Sequence, residues 1–497
     1  MYKGVTNNVG SGETMEEQQA PSGEAPKPAE KSKALWIVIA VVVVVVVVLL
    51  AAVFGGLFGP PEDRVLKIGT VLSITGGLAA FGPKNLQGVQ MAIAEINAAG
   101  GVLGRPIEQF HQNDNTAPET ARAAATALVG QRVDAIIGAT GSGQCATVIE
   151  VAKANGIFEI SGSCTSPRFS DLALTDGWWS RTAPSDALQG VVAASYARNN
   201  LTGIDRAATI GINNAYGTGL ANVFAGNFSR LGGTVTAVRI VTEVQFGATS
   251  YATDLEAIIG DTVTNPPQLI YLVAYPPDGI LMMQNWEQGK ASHGAAWNDV
   301  KWLLSEGVFE QAAFLNVLKN APNNFDTSTY EGTAPSAYGG ITGPLFDDWA
   351  AAYDDQWGVL PGLFDDNNYD AAFLVALAAQ AAGSATGQAI KDNIRRVANA
   401  PGTQIFPGEW AKALTEIAAG REVNYEGASG AVNLDEFGDP LSGYIVWGVN
   451  ATGAAFTKEI FPEALVVSLL PAPPASMQAP LLTAGFVAGL VTRTRET

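Results

Sequence analysis

From residue 65 onward, short apolar runs rich in β-branched residues alternate with longer stretches whose apolar positions recur every three or four residues. The first pair is 65–72, read as a strand, and 85–99, read as a helix because Leu86, Val89, Ile93 and Ile96 fall on one face. Gly100-Gly101 closes that helix, as glycine commonly does. The same rhythm predicts strands at 107–112, 133–137, 157–160, 207–212, 235–241, 268–273 and 301–304. Helices are expected between them at 118–129, 144–154, 187–198, 220–231, 251–259 and 279–288. Strands alternating with helices over so many units imply an α/β protein with mostly parallel sheets covered on both faces. About 400 residues of this pattern fit two such sheets better than one. From 311 to 363 the pattern weakens, with turn clusters such as Ala321-Pro322-Asn323-Asn324. Helices return at 369–382 and 390–397. Residues 423–449 have the spacing of a late hairpin turned at Phe437-Gly438-Asp439-Pro440. The Pro- and Ala-rich end, 462–497, reads as a flexible tail, and its apolar stretch 481–491 is too short to span a bilayer.

The first 58 residues follow other rules. Residues 1–33 are rich in Glu, Gln, Pro, Ser and Gly and bury too little to order themselves, so a disordered tail is expected. Residues 34–58 carry no charge and include an unbroken valine run from Val41 to Val48. That is long enough for a transmembrane helix and longer than the apolar region of a cleaved signal peptide. No cysteine near the end of the run could carry a lipid. Lys27, Lys31 and Lys33 precede the span, so the positive-inside rule places the tail in the cytoplasm and the body on the extracellular or periplasmic side of the cell membrane. Outside the cell, sequons at Asn200, Asn227 and Asn450 are open to glycosylation.

Composition narrows the partners. There are 28 Lys+Arg against 47 Asp+Glu, a net charge of −19. Nearly all of that acidity lies beyond the apolar span. It argues against nucleic acid, which needs clustered Lys and Arg. Two cysteines and two histidines exclude a zinc array or an iron–sulfur protein, and no metal or other cofactor is called for. No Gly-x-Ser-x-Gly or His-Glu-x-x-His stands in the chain, so an enzyme is not expected.

Ligands of open α/β sheets bind beyond the carboxyl ends of the strands. Three strand-to-helix loops there are rich in glycine and hydroxyls: Ser73 to Gly82, Gly138 to Gly143 and Ser161 to Pro167. Backbone N–H groups and Ser or Thr hydroxyls can seat an anion. The same residues also serve as ordinary helix caps and tight turns. A phosphate loop is excluded, because no Gly-Lys-Ser/Thr follows any of the three.

The segments Ile68-Gly69-Thr70-Val71-Leu72-Ser73-Ile74-Thr75-Gly76 and Ala94-Glu95-Ile96-Asn97-Ala98-Ala99-Gly100-Gly101-Val102-Leu103-Gly104 resemble the branched-chain amino-acid-binding proteins of ABC transporters. The resemblance continues through Ala215-Tyr216-Gly217-Thr218-Gly219, Glu306-Gly307 and Asn368-Tyr369-Asp370-Ala371-Ala372, and covers residues 64–461. It implies a type I periplasmic-binding fold, two α/β lobes joined by three crossovers that close on a ligand. On that basis lobe 1 comprises 64–184 and 336–440, and lobe 2 comprises 185–335 and 441–461. The resemblance also implies site residues. Ser142 with the Ser163/Thr165 pair would hold an α-carboxylate and part of an α-ammonium, and Glu306 would pair with the ammonium. Tyr216 and Tyr275 would close over the ligand, with Phe81 and Phe364 lining the pocket. Cys145 and Cys164 lie in two of the adjacent loops and would there be either a disulfide or two free buried thiols. The function implied is delivery of a small amino acid or amide to an ABC permease. The alternative is a sensor acting through a separate signalling partner.

Overall fold

The structure, a computed structural model, describes residues 64–335 and 344–471. The expected cytoplasmic tail, the transmembrane span and the end of the C-terminal tail lie outside these residues. Among the described residues no single helix is long and apolar enough to cross a membrane.

The first sheet is wholly parallel. Its strands are β1 (Lys67–Leu72), β2 (Glu108–Asn113), β3 (Ala135–Gly138), β4 (Phe158–Ser161) and β5 (Trp179–Arg181), in the order β2-β1-β3-β4-β5. All four residues of β3 and of β4 are buried, as expected of strands covered on both faces. Helix α1 (Gly82–Ala98) lies on one face, and α2 (Pro118–Gln131) and α3 (Ser142–Ala154) on the other. The chain then enters the second sheet through α4 (Asp186–Asn199). There β6 (Arg206–Ile212), α5 (Ala215–Arg230), β7 (Thr234–Val241), α6 (Ala252–Ile259), β8 (Leu269–Val273), α7 (Pro276–His293) and β9 (Lys301–Leu304) repeat the β/α rhythm. The seven strands run β15-β14-β10-β9-β8-β6-β7, with β10 (Glu331–Pro335), β14 (Tyr444–Val449) and β15 (Ala455–Phe461) completing the sheet. Pairing is parallel except where β14 meets β10 and β15.

Between β10 and β14 the chain returns to the first lobe as α8 (Pro344–Trp357), α9 (Asp365–Ala382), α10 (Gly387–Ala398), β11 (Thr403–Ile405), α11 (Trp410–Ala418), β12 (Val423–Gly427) and β13 (Gly430–Ala431). Helix α9 is buried from Asp365 to Ala379, packed with α1 over the first sheet. Two α/β lobes with exchanged chain segments are therefore present.

Three expectations change. The late hairpin at 423–449 does not exist: β12 pairs with β11 and β13 in a small separate sheet, whereas β14 pairs with β10 and β15 in the second lobe. The turn between them is a crossing point, held where Arg181 binds both Asp439 carboxylate oxygens and donates its backbone N–H to Gly438. The weak stretch 311–363 holds β10 and α8. Strand β10 reads Glu-Gly-Thr-Ala-Pro, poor by propensity, and is a strand because β9 and β14 flank it. The tail begins with a helix, α12 (Glu463–Leu469), whose Val466 is fully buried and whose Leu469 carbonyl accepts from Arg230.

Candidate functional site

The ends of β1, β3 and β4 in one lobe and of β6, β8 and β9 in the other face a single small cavity. Its walls are Leu78, Phe81, Thr140, Gly141, Ser142, Ser163, Thr165, Leu363 and Phe364 from the first lobe and Tyr216, Tyr275, Glu306 and Gly307 from the second. All eight side chains singled out in the sequence are thus brought together. The remaining space is about 30 Å³ for the centre of a water-sized molecule, where one water needs roughly 10–15 Å³. The lobes are drawn close over it: Leu78, Phe81, Leu363 and Phe364 join the hydrophobic cluster of the second lobe.

The first lobe offers hydroxyls and little charge. Ser142 opens α3 after Gly141, so its hydroxyl and the free backbone N–H groups of the first turn point the same way. Ser142 Oγ accepts from the Ser166 backbone N–H at 3.2 Å, and Ser163 Oγ donates to the Thr140 carbonyl at 2.9 Å. These bonds tie the loops after β3 and β4 to each other. A disulfide between Cys145 and Cys164, Cα atoms 6.6 Å apart, ties them a second time, which settles the open choice between a bridge and two free thiols. Arg181 is fully buried and donates to the carbonyls of Cys164 and Ser166 at 3.1 and 2.9 Å while paired with Asp439. The loop bearing Ser163 and Thr165 is therefore held from three sides.

Phe364 is positioned by strain. It caps α9 in the left-handed region, φ +68°, a conformation costing a bulky residue on the order of 1 kcal/mol. Asn85 and Asp365 hold it there: Asn85 Nδ2 donates to the Leu363 carbonyl at 3.2 Å and to Asp365 Oδ1 at 2.8 Å, and Asp365 Oδ2 accepts from the Gly362 N–H.

The second lobe supplies rings and carboxylates. Tyr216 and Tyr275 stack with centroids 5.6 Å apart and planes within 2°. Tyr216 Oη donates to Ser305 Oγ at 2.8 Å and accepts from the Gly307 N–H at 3.1 Å. The buried Tyr275 hydroxyl has no hydrogen-bond partner among the described residues. Glu306 is 2% exposed, and burial pushes its carboxyl up to about 7 even though the Gln189 amide donates to Oε2 at 2.5 Å. Behind it, burial drives the Asp186 carboxyl well above its usual range, and the negative Glu306 pushes the same way, against the Thr165 hydroxyl and the Arg181 charge. Two carboxyls thus sit close together in a dry pocket that lacks a full countercharge.

Asp186 and Gln189 were not singled out in the sequence. They were detectable as two polar residues one turn apart at the start of a helix, and both are buried while Ala187 and Leu188 between them are only half-buried. Leu78, Thr140 and Gly141 fall in the candidate loops and Gly307 in a resembling segment without being singled out, and Leu363 carried no signal. The bareness of Gly141 has a reason in space. A Cβ there would press first on Gln144 Oε1 and lie 2.9 Å from Leu78 Cδ1, both in its own lobe, and 3.0 Å from Tyr275 Oη of the other, so a side chain would crowd its own loop as well as the opposite lobe. Among the described residues, no group of three or more His, Cys, Asp or Glu side chains is placed to hold a metal.

Two α/β lobes whose facing loops enclose one small cavity are the architecture of a two-lobed ligand-binding protein. A profile of the periplasmic binding protein family matches residues 65–436, three quarters of the chain, and the chain belongs to that family. It is 27% identical over 401 residues to the chemotactic signal transduction system substrate-binding protein BasB of Halobacterium salinarum, covering 79% of this chain and 89% of BasB. It is 29% identical over 225 residues to the Leu/Ile/Val-binding protein BraC3 of Rhizobium johnstonii, covering 45% of this chain and 59% of the relative. Its fold is that of the leucine-binding protein LivK of Thermotoga maritima, with a TM-score of 0.63 at 23% identity over 80% of this chain and 99% of the other. The isoleucine complex of LivJ from Streptococcus pneumoniae gives 0.59 at 22% identity, over the same 80% and 99%.

Proposed function

We propose that this chain is an extracytoplasmic substrate-binding protein, anchored in the cell membrane by residues 34–58, that captures a small amino acid of the branched-chain type and delivers it to an ABC permease. The observation that carries this reading is the polarity of the cavity. Neutral donors at Ser142, Ser163 and Thr165 face the buried Glu306 across walls of Leu78, Phe81, Leu363 and Phe364. A zwitterion with an apolar side chain complements all three features. Its carboxylate meets the donors, its ammonium neutralises Glu306, and its side chain meets the apolar wall. An acid without an ammonium would leave Glu306 unpaired, and a neutral amide would use only part of the site. Tyr216 and Tyr275 close the second lobe over the ligand.

Calorimetric titration of residues 60–497 with leucine, isoleucine, valine and a set of neutral amides tests the reading. Saturable binding of the amino acids is expected. Binding of amides alone would overturn it in favour of an amide receptor.

The relation to BasB favours a second reading, because it spans most of both chains. In that case ligand occupancy is passed to a separate signalling chain in the membrane. Deleting the protein in its host separates the two: lost uptake of labelled amino acid marks delivery, and retained uptake with lost behavioural response marks sensing.

A further inference from the structure

Outside the cavity, one side chain makes three hydrogen bonds from one lobe to the other. Gln245 belongs by backbone to the second lobe, in the short turn Val244–Phe246 that follows β7. That turn is anchored on its own lobe, where the Val244 N–H donates to Asp278 Oδ1 at 2.7 Å and the same oxygen accepts from Tyr251 Oη at 2.7 Å. The side-chain amide of Gln245, however, spends its bonds on the first lobe. Its Oε1 accepts from the Gly77 N–H at 2.8 Å, and its Nε2 donates to the carbonyls of Asn115 and Thr116 at 2.8 and 3.0 Å.

The receiving surface is built for this. Asn115 and Thr116 both adopt left-handed backbone, φ +51° and +54°, which turns two successive carbonyls toward the second lobe. Two such residues in a row are uncommon and cost energy unless their surroundings hold them. Here the surroundings do so. Asn113 Oδ1 accepts from the Asn115 N–H at 2.9 Å, Asp114 Oδ1 from the Thr116 N–H at 2.8 Å, and Thr116 Oγ1 donates to the Thr75 carbonyl at 3.1 Å. Gly77 sits in the loop after β1 that also carries Leu78 and Phe81 into the cavity. Gln245 itself does not line that cavity.

We infer that Gln245 is a closure latch: its amide, bonded to Gly77, Asn115 and Thr116, holds the two lobes together without touching the ligand and favours the closed state even before ligand arrives. The consequence is kinetic. Ligand enters the open form, so the latch slows release, and it also slows association in proportion to the fraction closed before ligand arrives. Three hydrogen bonds of ordinary net strength correspond to about a tenfold or greater bias toward the closed form. The second half of this expectation rests on the ligand reading above; the first does not.

The test places one spin label on each lobe, away from the rim, and measures the interlobe distance distribution in ligand-free wild type, Gln245→Ala and Gln245→Glu. Gln245→Glu keeps the length but sets carboxylate oxygens against two carbonyls, and it guards against a misfolded alanine variant. The expected result is a closed population in the wild type that falls about tenfold in both variants at unchanged melting temperature. A wild type that is wholly open, or variants that close as the wild type does, overturns the latch. With leucine as the probe, release about tenfold faster from the variants supports it, and unchanged release overturns it. Failure of leucine to bind the wild type refutes the amino-acid reading alone, and the ligand-free distances still decide the latch.

Discussion

The two faces of the cavity are stabilised in opposite ways. The first-lobe face is a neutral rack. Its loops are cross-tied by Ser142 and Ser163, by the Cys145–Cys164 bridge and by the buried Arg181–Asp439 pair. The second-lobe face holds the buried carboxyls, Glu306 with Asp186 behind it, in surroundings that raise both toward the neutral form. One face is cross-tied before a ligand arrives, whereas the other holds a buried carboxylate that either a proton or a ligand cation must neutralise. A binding protein gains from this division, since preformed donors cost little to organise and an unsatisfied carboxylate discriminates strongly between ligands with and without an ammonium.

The sharpest way to break the comparison is Glu306→Gln. Removing one partner of a buried charge pair costs ~3 kcal/mol, about a hundredfold in affinity for an amino acid. The ligand-free protein should melt no lower, because the substitution removes a buried carboxyl. Calorimetric titration reads both effects, and unchanged affinity would remove Glu306 from the site. The same carboxyl sets a pH dependence. With its folded value up to about 7, wild-type affinity should weaken as pH falls below about 7, because protons then compete with the ammonium, and Glu306→Gln should flatten the profile.

On the rigid face the expectation reverses. Replacing both Cys145 and Cys164 by serine opens a bridge between residues 19 apart in sequence. In the chain-entropy description this costs ~3 kcal/mol of stability. Scanning calorimetry should show a large drop in melting temperature, with a smaller loss of affinity. Affinity lost at unchanged stability would make the bridge a ligand contact and not a brace.

Gly141→Ala acts where the faces meet. The added Cβ lies against Tyr275 Oη and Leu78 Cδ1, an overlap worth ~2 kcal/mol, and should weaken ligand binding at least tenfold by opposing closure. Part of the overlap, against Gln144 Oε1 and Leu78 Cδ1, lies within the first lobe and should lower the melting temperature of the ligand-free protein as well.

The smallest effect lies away from the cavity, at Glu159 on β4. This carboxyl is fully buried with no hydrogen-bond partner, and burial alone drives it well above its usual range. A folded value raised above the unfolded value of about 4.3 means that the unfolded chain sheds its proton first, so stability declines as pH rises through that value and beyond. Glu159→Gln should abolish this decline and raise the melting temperature at pH 8 more than at pH 4. An equal shift at both would assign Glu159 a purely steric role.

The alternation of apolar strands and amphipathic helices determined the α/β class, because both periods are local and each buries one definable face. Short-range residue chemistry also marked Ser142, Ser163, Thr165, Tyr216, Tyr275 and Glu306 through their place in recognisable segments, and all of them line one cavity. Strand partnership was decided elsewhere. Strand β10 carries glycine and proline and exists only because β9 and β14 bracket it, and β13 and β14, consecutive in sequence, belong to different sheets. Asp186, Gln189 and Gln245 acquired their roles the same way, since nothing in the residues around them shows that Glu306 or the opposite lobe lies within hydrogen-bond reach. The sequence by itself determined what each segment can form and what each side chain can do. Only the tertiary structure decided which of them meet, because those meetings join separate elements, as far as 168 positions apart for Gln245 and Gly77, beyond the range of any local pattern.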